Sequence, residues 1–357
     1  MSGTGLAQLS NAAAYAAMLV LALALICFAV AFAARGRRTL PVSEAVQVAQ
    51  RDGSADLTAT PVAAVSGAAA SAVSTAVRPP DLPEVDEPVE PGGPAGRLRR
   101  PDGDPGRRAG NVGLALTWLA LGLLVVALVL RGLWAGRVPW GNMYEFSLAS
   151  SAGILAVYLA ISLRRDVRWL GLVVTGAALL TLGLAVTVLY TEAAQLVPAL
   201  KSWWLVIHVS AAIISGGAFT VAAGITVLYL WRDRADRRRV GGAAPLGDPV
   251  ARLPEAARLD TLAYRVIAFA FPLWTFAVIS GAIWAENAWG RYWGWDPKET
   301  WAFITWVIYA GYLHARSTAG WRGRKAAYIS LVGFAAFLIN YFGVNLFVNS
   351  LHSYAGL

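Results

Sequence analysis

Only three histidines occur in this 357-residue chain, His208, His314 and His352, and all lie in or beside apolar runs of bilayer-spanning length. Polar side chains are costly there and are usually retained for a function. The segment Trp284–Trp301, WAENAWGRYWGWDPKETW, is richer still, with five indoles at Trp284, Trp289, Trp293, Trp295 and Trp301. Indoles favour the membrane–water boundary, because the ring is apolar and its N–H polar. An ordinary interfacial belt needs only one or two per helix end, so this density points to a flat, π-rich ligand. His208, after Trp203 and Trp204, and His352, near the C-terminus, fall on the same expected face as this shelf. Two imidazoles beside an aromatic wall suit a bis-histidine haem site, with iron taking the nitrogens and the rings flanking the porphyrin. The plainer alternative for each is an interfacial histidine in polar contacts.

His314 differs. It follows Trp301 by 13 residues on one expected helix, which is about 20 Å at 1.5 Å per residue. It therefore cannot share an iron with the other two. It reads either as a snorkelling residue beside Arg316 or as a second, inner haem position whose other ligand comes from a partner. Asp296 precedes Pro297 and can cap the helix that follows. Arg291 and Lys298 are the cations of the shelf; they can pair with two haem propionates or with Glu286 and Glu299. An earlier connection, VPWGNMYEF from Val138 to Phe146, carries turn and interface residues. Its Glu145 is placed to interact with a helix dipole.

These residues need a membrane scaffold. The chain is 57% hydrophobic and 14% charged, too apolar for a soluble domain of this length. The formal net charge of +9 must be placed against the membrane before it suggests nucleic acid, and no nucleic-acid partner is expected. The lone Cys27 lies in an apolar run, and the chain lacks a CxxC pair, a Walker loop and a dinucleotide fingerprint. Eight apolar runs meet or approach the roughly 20 residues that a crossing requires: about 12–34, 112–130, 147–163, 169–190, 204–230, 265–285, 301–315 and 327–349. The expected fold is an all-α polytopic membrane protein of the plasma membrane. The first run is read as a retained helix, because Arg35, Arg37 and Arg38 follow it, which reverses the order in a signal peptide. With both termini outside, all the Lys and Arg except Arg131, Arg137, Lys201, Arg291 and Lys298 fall on inner connections, as the positive-inside rule asks. The tryptophan segment then lies outside, between helices six and seven. Three parts follow: a helix over 1–34, a disordered cytoplasmic linker over 35–110 rich in Ala, Pro, Gly and Ser, and a membrane domain over 111–357.

The tryptophan segment resembles the WWD signature of the haem-handling cytochrome c assembly family. Within that family the chain is most similar to the CcsA/ResC type of system II, and PWGNMYE resembles that type's P-x-x-N-x-Y-E element. The likeness spans roughly residues 112–354. It implies haem delivery at the outer face and its covalent attachment to apocytochrome c, haem b being the substrate. His208 and His352 match the two external histidines that flank the signature, and His314 matches the intramembrane one. Trp284, Trp289, Arg291, Trp293, Trp295, Asp296, Lys298 and Trp301 would then contact haem. The implied partners are a ResB-type membrane subunit, an apocytochrome c with CxxCH and a thioredoxin-like thiol reductant. Two rivals remain: a transporter using Glu145, Glu192 or Asp296, and a respiratory b-type cytochrome subunit.

Overall fold

A computed structural model describes residues 3–34, 105–192, 201–240 and 249–352. Most of the stretch read as a linker, 35–104, lies outside the described residues. Its last residues, from Pro105, are helical, so the second helix starts earlier than expected.

Among the described residues there is no strand, and eight helices follow the eight apolar runs. They are α1 Gly3–Ala34, α2 Pro105–Ala135, α3 Met143–Ser162, α4 Gly171–Thr187, α5 Trp203–Val240, α6 Ala256–Trp289, α7 Pro297–Ser317 and α8 Arg324–Leu338. A π-turn, Ile339–Gly343, and a last helical turn, Val344–Phe347, continue α8. Seven of these helical segments are long and apolar enough to span a bilayer, the last running Arg324–Phe347; α7 is not among them. Lys298, Glu299, His314 and Arg316 occupy its two ends and leave a short apolar middle. The chain is a multi-pass membrane protein.

Most helices run past the apolar limits read from sequence, because a helix satisfies its own backbone and need not stop where lipid stops. Strong caps fix several ends. Asn142 accepts the Glu145 N–H at 2.8 Å and starts α3. Gly290 closes α6 in the left-handed region at φ 69°, its N–H bonded to Glu286 O at 2.8 Å. Glycine is favoured at such a position because it has no Cβ to clash.

Antiparallel packing of α1 and α2 rests on small residues. The buried positions Ala14, Ala17, Leu21, Ala24 and Phe28 on α1 meet Gly113, Thr117, Ala120, Leu124 and Ala127 on α2. Spacings alternating three and four keep one seam facing the partner over many turns. Small side chains let the backbones approach where no hydrophobic effect drives helices together. Ser10 crosses the seam, its hydroxyl donating to Ala127 O at 2.8 Å.

The two ends of the bundle differ chemically. One collects arginines held by local acceptors: Arg316 on Asp260 at 2.8 and 2.9 Å, and Arg232 on the carbonyls of Val250 and Leu253. The other collects the aromatic segment, His208, His352 and the α2–α3 connection.

Candidate haem-binding cleft

At the aromatic end, a cleft opens between α3, α5, α6, α7 and the end of α8. Ligand sites commonly fall between helices of a bundle. His208, His352, Trp284, Trp293 and Lys298 all line it.

His208 sits in the second turn of α5. Its Nδ1 lies 2.7 Å from the Ala277 carbonyl on α6. A carbonyl only accepts, so Nδ1 carries the proton, and Nε2 is the nitrogen with the lone pair in the neutral ring. The ring lies 9° from parallel to Trp284, with centroids 6.3 Å apart. Gly281 makes room for it: a Cβ there would stand 2.7 Å from His208 Nδ1.

His352 arrives differently, after α8 has ended. Its Nδ1 meets Asp296 Oδ2 at 2.9 Å. The ring packs edge-on against Trp289, with centroids 4.7 Å apart, and against Trp284 at 5.7 Å. Trp284, 2% exposed, therefore touches both histidines and joins them into one wall. Asp296 also accepts the Leu351 N–H at 2.9 Å and the Lys298 N–H at 3.2 Å, so one carboxylate caps α7 and ties down the chain end. Burial works to raise this carboxyl, but the bonds from His352 and the Leu351 N–H outweigh it and hold it below the ordinary carboxylate value.

Glu299 completes the capping box of α7: its Oε2 accepts from Gly294 N at 2.8 Å and Asp296 N at 3.1 Å. It is engaged there rather than with Lys298, and among the described residues no ion pair joins Arg291 or Lys298 to Glu286 or Glu299. The Arg291 guanidinium covers the space beside Gly294. Trp295 takes a left-handed φ of 58° and is 64% exposed, packing on Trp293 and Phe303. Such a conformation is unfavourable for a bulky residue and is tolerated here where the chain turns into Asp296. Trp301 stands at the start of the second turn of α7, half-buried.

His314 lies elsewhere. It is exposed near the far end of α7 and takes no part in the cleft. Its carbonyl receives the Thr318 N–H that ends the helix. Two of the three carboxylates of the transporter reading are also committed, Glu145 clasped by Arg131 and Arg137 and Asp296 by His352, while Glu192 is exposed.

Sequence reasoning missed several walls of the cleft. Trp140 and Asn142 line it from the α2–α3 connection and Met143 and Phe146 from the start of α3, a stretch that by spacing alone was a weak signal. Asn340, Tyr341 and Asn345 line it from the π-turn and the turn that follows. Two asparagines in an apolar run were the available clue, since such residues are expensive in a membrane helix. π-turns, which recur at functional sites, leave no sequence mark of their own.

A family model described as cytochrome C assembly protein matches residues 140–352. That span takes in the end of the α2–α3 connection, both cleft histidines and the tryptophan segment. The chain belongs to the cytochrome c assembly family. Cytochrome c biogenesis proteins CcsA are similar to it along most of their length. The one from Synechococcus elongatus is 38% identical over 284 residues, 69% of this chain and 86% of that protein. The one from Microcystis aeruginosa is 37% identical over 286 residues, covering 68% and 87%. Among solved structures, Cytochrome c Heme Lyase CcmF superposes with a TM-score of 0.57 at 15% identity. All of this chain aligns, but it spans about half of that one, 49%. At that identity the likeness concerns the fold. In this cytochrome c assembly protein the matched span covers α3 to α8, while α1 and α2 precede it.

Proposed function

We propose that the protein holds haem in this cleft through His208 and His352 and presents it to apocytochrome c for covalent attachment. The observation that carries the reading is shared by both imidazoles. Each lines one aromatic cleft and commits Nδ1 to a protein acceptor, so Nε2 is the coordinating nitrogen of each. Histidine ligands of metals are characteristically oriented in this way, by a carbonyl or carboxylate on the other ring nitrogen. Trp284, Trp289 and Trp293 supply apolar surface for a porphyrin, and Lys298 and Arg291 are the cations suited to propionates. The thiols come from the CxxCH segment of the substrate. Each S–H adds across a haem vinyl group, sulfur bonding the inner carbon and hydrogen the terminal one. Catalysis is then chiefly proximity and orientation. The positive-inside rule puts the cleft on the outer face. A ResB-type subunit and a thioredoxin-like reductant complete the proposed system, with His314 reserved for an inner haem position shared with that subunit.

The test replaces both histidines. A His208→Ala, His352→Ala double variant in the complete membrane complex should lose the bis-histidine Soret and α bands of the outer haem. It should also stop covalent cytochrome c formation. Wild-type bands in that variant would overturn the ligand assignment.

A further inference from the structure

A second recess lies at membrane depth, beside the cleft but apart from its histidines. Its floor is α3 and α5, and α4 and α8 stand on either side. Two neighbouring glycines of α5 shape it. Gly217 lets α3 pass close by, since a Cβ there would stand 2.8 Å from the Gly153 carbonyl carbon. Gly216 seats the Phe337 ring, which its Cβ would meet at 2.6 Å. From α4 the short Ala177 and Thr181 line the space, which leaves it unfilled by the described residues. The rim faces lipid: Leu180 on α4 is 77% exposed and Leu338 on α8 37%. On α4 the lining runs from Ala177 to Leu184, about 15 to 5 Å below the helix end at Thr187 at 1.5 Å per residue. That depth is inside a hydrocarbon core roughly 30 Å thick.

The lining fixes the chemistry of an occupant. Among the described residues that line the recess none is charged, so a carboxylate or phosphate would lie there unpaired, which is expensive in a membrane. Its hydroxyls are mostly spent. Thr181 donates to Ala177 O at 3.0 Å, Thr220 to Gly216 O at 2.8 Å and Tyr341 to Ser147 Oγ at 2.8 Å. Ser150 is the other hydroxyl of the lining, too little to hold the two carbonyls of a quinone ring. A hydrocarbon chain needs none of these groups. We propose that the recess holds one acyl chain of a bilayer phospholipid, whose headgroup stays at the membrane surface. Hydrocarbon gains no hydrophobic free energy on moving from bilayer to recess, so the gain is one of packing. The chain gives dispersion partners to a lining that would otherwise face a void. Phe146, Phe337 and Tyr341 line both the recess and the cleft, and Tyr341 stacks on Phe342 with centroids 4.0 Å apart. The chain therefore packs behind the rear wall of the cleft.

The recess can be tested without haem, so it and the haem reading fail separately. The full chain, stripped of lipid in detergent, would be reconstituted in phosphatidylethanolamine–phosphatidylglycerol vesicles carrying a trace of phospholipid with a mid-chain diazirine. Light expels dinitrogen, the carbene inserts into the side chain it touches, and peptide mass spectrometry locates the adduct. Adducts on the recess side of α4 and α8 should be denser than those at Phe269, Phe276 and Ile279, which face lipid on α6. Thr181→Phe puts a ring into the recess from a helix that lines none of the cleft. It should lose the recess adducts and keep those on α6. The unfolding temperature of the stripped wild-type protein should rise when phospholipid is returned, and that of Thr181→Phe should rise much less, because the ring already fills the space. Should Thr181→Phe fail to fold, Ala177→Phe fills the recess from one turn away. Recess adducts no denser than those on α6, or unchanged in a folded filling variant, would be ordinary boundary lipid and overturn the proposal. Recess adducts abolished by an added isoprenoid quinone, with those on α6 intact, would overturn it in favour of a different chain.

Discussion

Glu145 and Asp296 are both buried carboxylates at the start of a helix, each entered through a turn in an aromatic connection at the same end of the bundle. Their partners separate them. Glu145 is fully buried and binds Arg131 Nε at 3.1 Å, Arg137 Nη1 at 2.7 Å and the Gly141 N–H at 2.8 Å. Arg131 also donates to the Thr191 carbonyl and lies over the Tyr144 ring, 4.6 Å from its centroid. Every partner is a permanent donor, and the cluster ties α2, α3 and the end of α4 together. Asp296 binds two backbone N–H groups and one imidazole. Imidazole has a second nitrogen that can do chemistry, and a guanidinium has none to offer a metal. One carboxylate is a structural knot and the other a handle on an imidazole, that of the proposed haem ligand His352.

The comparison breaks most visibly at the knot. Glu145→Ala leaves Arg131 with an uncompensated charge at a site of 0% side-chain exposure. Removing one member of a buried ion pair costs about 3–5 kcal/mol. Thermal unfolding in detergent should show a large loss of stability whether or not haem is present. A change confined to the haem-loaded protein would show that Glu145 belongs to the site instead.

Asp296→Ala should lie below that in stability and above it in specificity. Losing a helix N-cap costs about 0.5–2 kcal/mol, and the Leu351 and His352 contacts go with it. The apoprotein should unfold only slightly earlier, while haem bound at the cleft falls to a small fraction of the wild-type level. Equal losses in the apo and haem-loaded forms would make Asp296 a second knot.

The asymmetry bears on how much could be read from the chain before its structure. Helix number followed from the apolar runs, because a membrane leaves the backbone no alternative to satisfying itself. The cap at Asp296 was legible because D-P-K-E carries its geometry within four residues. What Asp296 does for His352 was not legible, since 55 residues of helix and loop separate Asp296 from Leu351. Glu145 looked like a dipole partner because Arg131 and Arg137 precede it by 14 and 8 residues across a turn. No local pattern announces such a convergence. The seam of α1 and α2 is an intermediate case: the alternating spacing of small residues is visible on each helix, yet neither sequence names the other as its partner. Trp295 shows the reverse, a residue chosen as a ligand contact for its type, whose backbone turn and exposed ring come from the path of the chain.

The smallest expected effect on stability sharpens the comparison furthest, because it touches the helix-borne ligand alone. In Gly281→Ala the new methyl group would meet His208 Nδ1 at 2.7 Å and Cε1 at 2.8 Å, with no backbone atom among its nearest neighbours. A ring can swing where a backbone cannot, so the helices keep their packing. Alanine is also the better helix former by about 0.5–1 kcal/mol, which offsets the crowding. Unfolding should therefore shift little. The swing that relieves the methyl pulls Nδ1 off the Ala277 carbonyl, and with it the direction of Nε2. Haem affinity should fall about 10–100-fold, the range for lost orientation at a metal ligand, as measured by titration of the apoprotein. Added imidazole should not restore it, because the defect lies in the ligand that α5 holds fixed. Restoration would mean that the orientation of His208 is not what sets haem affinity.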